Sequence, residues 1–158
     1  MSAAKCKGFI FIVLFAFLLG GCSADPQTSE PMEVSLNEMT FSVEGDEELG
    51  HQLLTYDITL THSKGLAINV DSIEPLIAGW IEERMLDHEI VELEKLEDND
   101  LRIKGTVMFD SNELSKEEML ELASQDESVQ GILFRTVAGA SYQAVKIGTK
   151  TELIEIGD

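Results

Sequence analysis

Leu101-Arg102-Ile103-Lys104-Gly105-Thr106-Val107-Met108-Phe109-Asp110 carries an apolar residue at every odd position except Gly105. A period of two marks a half-buried β-strand, because successive side chains point to opposite faces of a sheet. Ile103, Val107 and Phe109 then share a buried face and Thr106 lies on the solvated one. A lone Gly inside such a strand predicts a bulge or a close approach by a neighbouring group. The same rhythm recurs elsewhere. Leu54, Tyr56, Ile58 and Leu60 occupy one face of a strand whose other face is Thr55, Asp57, Thr59 and Thr61, residues suited to an exposed pleat. Met39, Phe41 and Val43 alternate with polar residues until the acidic, Gly-bounded segment from Gly45 to Gly50 stops the run. Gly131 to Val137 and Ser141 to Ile147 read as a hairpin closed by Ala138-Gly139-Ala140.

Two segments depart from this pattern. Ser115-Lys116-Glu117-Glu118 is a capping box, with Ser115 as N-cap and Glu118 at the third helical position, opening a short amphipathic helix with Met119, Leu120 and Leu122. In Asp71 to Leu96, the residues Ile73, Leu76, Ile77, Trp80, Ile81 and Met85 fall at helical spacing, with Pro75 in the first turn. We end this helix near Asp87 and expect an edge strand over Glu89 to Leu96, since a two-sheet domain needs another strand before Leu101. Propensity alone carries the helix across residues 72–96, and that alternative is an α+β domain. Short alternating strands, frequent turns and no βαβ rhythm point to a mostly β sandwich with one or two short helices. It occupies residues 33–158, long enough for one domain with its own core.

The N-terminus carries a different signal. Lys5 and Lys7 precede the 11 apolar residues Phe9 to Leu19, which end in Gly20-Gly21-Cys22. This is the charged, apolar and small-residue order of an export signal, too short for the ~20 residues of a spanning helix. Leu19-Gly20-Gly21-Cys22 resembles the signal motif of bacterial lipoproteins. That resemblance implies cleavage after Gly21, diacylglycerol on the Cys22 thiol and in some cases a further acyl chain on its amine. It places the chain at the cell membrane, lipid-anchored on the extracytoplasmic side, with residues 1–21 removed and residues 22–32 a Pro-containing disordered tether. Cys22 is the only cysteine after the cleavage point, so it has no intramolecular disulfide partner. Two or three acyl chains anchor firmly without help from the polypeptide.

The polypeptide supplies no such help. Without Lys5 and Lys7 the remainder holds 9 basic and 30 acidic residues, a net charge of −21. Such a surface is repelled by nucleic acid and by anionic headgroups, so neither is an expected partner of the domain. Tyr56-Asp57-Ile58-Thr59-Leu60-Thr61, Ile73-Glu74-Pro75 and the strand Ile103 to Asp110 before Leu114-Ser115-Lys116-Glu117-Glu118 are similar to short Gram-positive lipoproteins with an immunoglobulin-like domain. The resemblance spans roughly residues 54–137 and implies an immunoglobulin-like sandwich, without the cysteine framework of antibody domains and without an established activity.

Chemistry-bearing motifs are sparse. Past Cys22 there is no Gly-x-Ser-x-Gly, phosphate loop, His-Glu-x-x-His or dinucleotide fingerprint, so no catalytic residue, resident metal or cofactor is expected beyond the Cys22 lipid. A hidden site would need His51, Asp57 and a serine converging in one cleft. His51 and His62 open and close one strand on opposite faces, and His88 follows the expected helix. Two acidic loops, Asp46-Glu47-Glu48 and Glu97, Asp98 and Asp100, are candidates for weak calcium binding through loop oxygens, although neither has the spacing of a calcium loop. Trp80 and Tyr142 are candidate aromatic contacts on a binding face. Trp80, on the apolar stripe of its segment, is expected in the core. The resulting expectation is a non-enzymatic module that contacts an envelope protein or a small ligand. The alternative is an acidic cation-binding or cation-sensing protein.

Overall fold

The computed structural model describes residues 32–46 and 50–157. The strand read from Leu101 onward is β5 (Asp100–Asp110), the centre of the first sheet. It lies between β2 (His51–His62) and β4 (Met85–Lys95), and β1 (Val34–Asp46) adds on the far side of β2, giving the antiparallel order β1-β2-β5-β4. The second sheet joins β3 (Ile68–Ile77), β6 (Val129–Thr136), β7 (Ser141–Ile147) and β8 (Lys150–Ile156) in that order, again antiparallel. Strands one, two, five and four on one sheet and three, six and seven on the other reproduce the immunoglobulin-like arrangement, with β8 appended at the sheet edge.

Alternation builds the core from both sides. Leu54, Tyr56, Ile58 and Leu60 from β2 and Leu101, Ile103, Val107 and Phe109 from β5 are buried, against Val129, Ile132, Phe134 and Ala144 of the second sheet. Each large side chain removed from water contributes ~1.5–3 kcal/mol before the entropy of ordering is set against it. The expected hairpin is β6–β7, and Thr136 N–H bonds the Ala140 carbonyl at 2.8 Å across its loop.

Gly105 is a close approach. A Cβ placed there would stand 2.2 Å from Tyr56 Oη and 2.5 Å from the Glu89 carbonyl oxygen. Tyr56 and Gly105 are register partners, as are Gly105 and Ile90, so the phenol crosses β5 through the missing side chain and reaches β4. There Tyr56 Oη hydrogen-bonds His88 Nε2 at 3.0 Å.

The helix expected from Asp71 to Asp87 does not form, and neither does the longer helix over residues 72–96. Ile73, Leu76 and Ile77 belong to β3, and helix is confined to α1 (Gly79–Glu82). Register shifts between Asn69 and Glu74, and again between Leu76 and Ile77, break the period of two and leave apolar residues at spacings that imitate a helix. Pro75 is tolerated because β3 is an edge strand. Ser72 Oγ donates to the Asn69 carbonyl at 2.6 Å and accepts from Arg135 N–H at 2.8 Å, replacing a ladder bond where the strand bulges. The expected edge strand after the helix is present as β4. His88 therefore lies on a strand rather than after a helix.

β8 is a strand for which the patterning raised no expectation. It returns from β7 through Gly148 and Thr149, with Gly148 at φ 60°, a backbone region open to Gly at no steric cost. The capping box is present as read. Ser115 Oγ accepts from Glu118 N–H at 3.2 Å, and Glu118 accepts in return from Ser115 N–H at 2.8 Å, opening α2 (Lys116–Gln125).

Candidate functional site

Helix α2 carries no fully buried residue, although Met119 packs on the core. It lies beside a stretch of β1 whose apolar side chains have little cover. Phe41 and Val43 are register partners of Tyr56 and Leu54, and so share the core-facing side of the first sheet. Each is nevertheless 43% exposed. Between this edge and α2 lies a cleft of about 300 Å³. Val43 and Gln52 form its strand wall, Met119, Leu120 and Ala123 its helix wall, and Trp80 and Phe109 its floor, with Lys116 among the lining residues.

Trp80 holds this floor by two contacts. Its ring meets Phe109 edge-on at 5.7 Å, and its Nε1–H is directed to the Asp126 carbonyl at 3.5 Å. The residue is half-buried: one side packs on the core, as expected from its apolar stripe, and the other faces the cleft. Tyr142 stacks on Phe134 at 5.7 Å and packs on the core, beside an opening where β3 bulges away from β6. It is not joined to Trp80 in one site.

The titratable groups are committed to structure. Burial pushes the Tyr56 phenol up to about 12, so it stays protonated beside His88. Asp57 accepts from Arg102 Nε at 3.0 Å and from Arg102 Nη2 at 2.6 Å, and this paired hydrogen bond holds its carboxyl below the usual range. Lys104 and Glu92 form a second ion pair at 2.7 Å on the same outer face. Hydrogen bonds from the Ser115 backbone and hydroxyl lower Glu118 likewise.

His51 and Asp57 share the outer side of β2 but are separated by six residues, roughly 20 Å of strand, so they do not converge. His51 is exposed, and His62, on the opposite face, contacts the Ser63 carbonyl through Nδ1 at 3.0 Å. Of the acidic loops, Glu47 and Glu48 lie outside the described residues, as does the side chain of Asp46. Glu97 and Asp98 fall on a single 3-10 turn, Glu97 exposed and the Asp98 side chain outside the description, while Asp100 accepts from the Thr61 hydroxyl. Among the described residues no group of three His, Cys, Asp or Glu side chains is arranged to hold a metal ion. Gly21 and Cys22, with the signal segment, also lie outside the described residues.

Sequence reasoning missed the cleft. Its one signal was Trp80, a candidate aromatic contact in the sequence, and nothing in the residue order joined it to α2. No protein-family model, curated protein or solved structure matches the chain.

Proposed function

We propose that this chain is a lipid-anchored, extracytoplasmic, non-enzymatic module that captures a partner or small ligand in the cleft between α2 and the overhanging edge of β1. The observation that carries the reading is the cleft itself, an apolar recess of about 300 Å³ floored by Trp80 and Phe109. Its volume lies at the lower end of small-ligand sites, and such sites are walled by apolar and aromatic side chains with a few polar groups to set orientation. Lys116 supplies a cation beside apolar walls, which favours an occupant with an apolar body and an anionic or strongly polar end. The export-signal pattern ending at Cys22 supports the location.

Crosslinking in intact cells tests the binding reading. A photoreactive residue in place of Leu120, which is 64% exposed at the rim, is expected to capture a discrete adduct absent when the same residue replaces Thr55. Equal labelling from both positions overturns it. Anchoring is tested separately: Cys22→Ala is expected to abolish metabolic labelling by a fatty acid, and persistent labelling contradicts the assignment.

A further inference from the structure

We propose that the open edge of β1 takes on one further strand, an extended segment of another protein in which basic residues alternate with apolar ones. The proposal rests on the cleft reading, because the apolar side chains of that segment enter the recess between β1 and α2. Among the described residues the two sheets have four edge strands, and three of them are blunted against such pairing. β3 carries Pro75 and two register shifts, β4 carries two shifts, and the short β8 has its Thr151 hydroxyl bonded to Leu36 N–H at 2.8 Å. β1 differs. Its one irregularity lies between Leu36 and Glu38, and from Glu38 to Asp46 it pairs with β2 without a shift and contains no Pro, Lys or Arg.

The backbone selects the occupant. Leu36 N–H donates to Thr151 Oγ1 and its carbonyl accepts from Lys146 Nζ, so its polar groups turn away from β2. Ladder bonds alternate along an antiparallel pair, and the register partner Leu60 therefore turns toward β5. The same holds at Ile58, Tyr56 and Leu54, so their partners Met39, Phe41 and Val43 direct N–H and C=O to the open edge. Among the described residues nothing bonds these groups. Such a row is matched by an extended polypeptide backbone. The side chains of the same three residues lie on the core-facing side, where Val43 walls the cleft, so an added strand carries alternate side chains over it. Lys116 on the helix wall favours a polar tip there, such as a Tyr hydroxyl. The intervening side chains stand beside Glu38, Thr40, Ser42 and Glu44, two acids and two hydroxyls. With a net charge of −21 after Gly21, the chain repels a second copy at this edge and draws a basic segment.

The test sets the full chain, solubilised in detergent, against an array of peptides matching the span from Met39 to Gly45, with Lys, Arg or Thr alternating with Val, Leu, Phe or Tyr. The tightest binder is then N-methylated on one or the other alternate set of its amides. One set is expected to weaken binding about tenfold and the other to leave it unchanged, since only alternate amides of an added strand donate to β1. These peptides need no variant to fold. Phe41→Pro removes an outward N–H and keeps the ladder to β2, so it should also weaken binding about tenfold, and more than Phe41→Ala does. Ala123→Phe, which fills the cleft, should abolish binding. No binder in the array, equal effects of the two methylated sets, or equal effects of Phe41→Pro and Phe41→Ala each overturns strand addition, and loss at Ala123→Phe then leaves the cleft reading standing. A binder indifferent to Ala123→Phe overturns both. A dimer of the chain that Phe41→Pro dissociates gives the edge to a second copy and overturns the proposal as well.

Discussion

Thr55, Asp57 and Thr59 on β2 face outward beside Arg102, Lys104 and Thr106 on β5, while outward positions of the second sheet include Leu133, Val145 and Ile154 among Glu74, Gln143 and Glu152. Both sets suit strands, since threonine and branched aliphatic residues favour the pleated conformation. The inward residues are apolar in both sheets and close one core. The outward choice is therefore not set by the shared core. The first face is finished for water along its middle, with hydroxyls and the Arg102–Asp57 and Lys104–Glu92 pairs, and exposes apolar surface at one end, where the register partners Leu53 and Met108 are 37% and 39% exposed. The second keeps aliphatic surface that water alone does not call for.

That comparison breaks first if the two sheets do not share a core. Phe109→Ala and Phe134→Ala, at positions 0% and 1% exposed on opposing sheets, are each expected to destabilise by ~3–5 kcal/mol in denaturant unfolding of residues 33–158. A small effect at one and a large effect at the other would mean that one sheet packs without its partner. Gly105→Ala comes next, at ~1–3 kcal/mol, because the added methyl overlaps Tyr56 Oη and the fixed Glu89 carbonyl. Tyr56→Phe should not reproduce this loss in full, since it removes a hydrogen bond without forcing β4 away from β5.

Smaller effects belong to the outer faces. Asp57→Asn is expected to cost under ~1 kcal/mol, because both partners of its ion pair remain partly in water. Its carboxyl is depressed in the folded state, so the pair's contribution is present above the unfolded value of about 4 and fades as pH falls through the lower folded value. Unfolding curves of the parent and Asp57→Asn should therefore converge in that acid window and stay separate at neutral pH. Thr106→Ala and Ile154→Ala are expected to be the mildest, each below about 1 kcal/mol under conditions where the domain is monomeric. Equal mildness would sharpen the comparison, since it would show that the aliphatic residues of the second face are not there to hold the fold.

Regular strands were legible and irregular ones were not. β2 and β5 pair over their full lengths without a register shift, so their alternation survives intact in the residue order. β3 carries two shifts and Pro75, and its apolar residues drift into a helical spacing. β8 buries little, with only Leu153 packed on the core, so its pattern is faint. The cleft was hidden for another reason: Phe41 and Val43 follow the same alternation as Tyr56 and Leu54, and only the placement of β1 at the sheet edge leaves them uncovered. Gly105 hinted at an approach but not at its source, because Tyr56 and His88 are 32 residues apart.

The most direct test of the central claim, that the cleft is a binding site, uses Trp80, the only tryptophan of the chain and part of the cleft floor. Adding an anilinonaphthalene sulfonate dye, an apolar body with an anionic end, to the folded domain is expected to quench Trp80 emission saturably at one site. Ala123→Phe, which fills the cleft from α2, should abolish the quenching while Ile154→Lys on the distant sheet face leaves it unchanged. Quenching that survives Ala123→Phe in a folded protein, or no saturable quenching of the parent at all, would contradict the account.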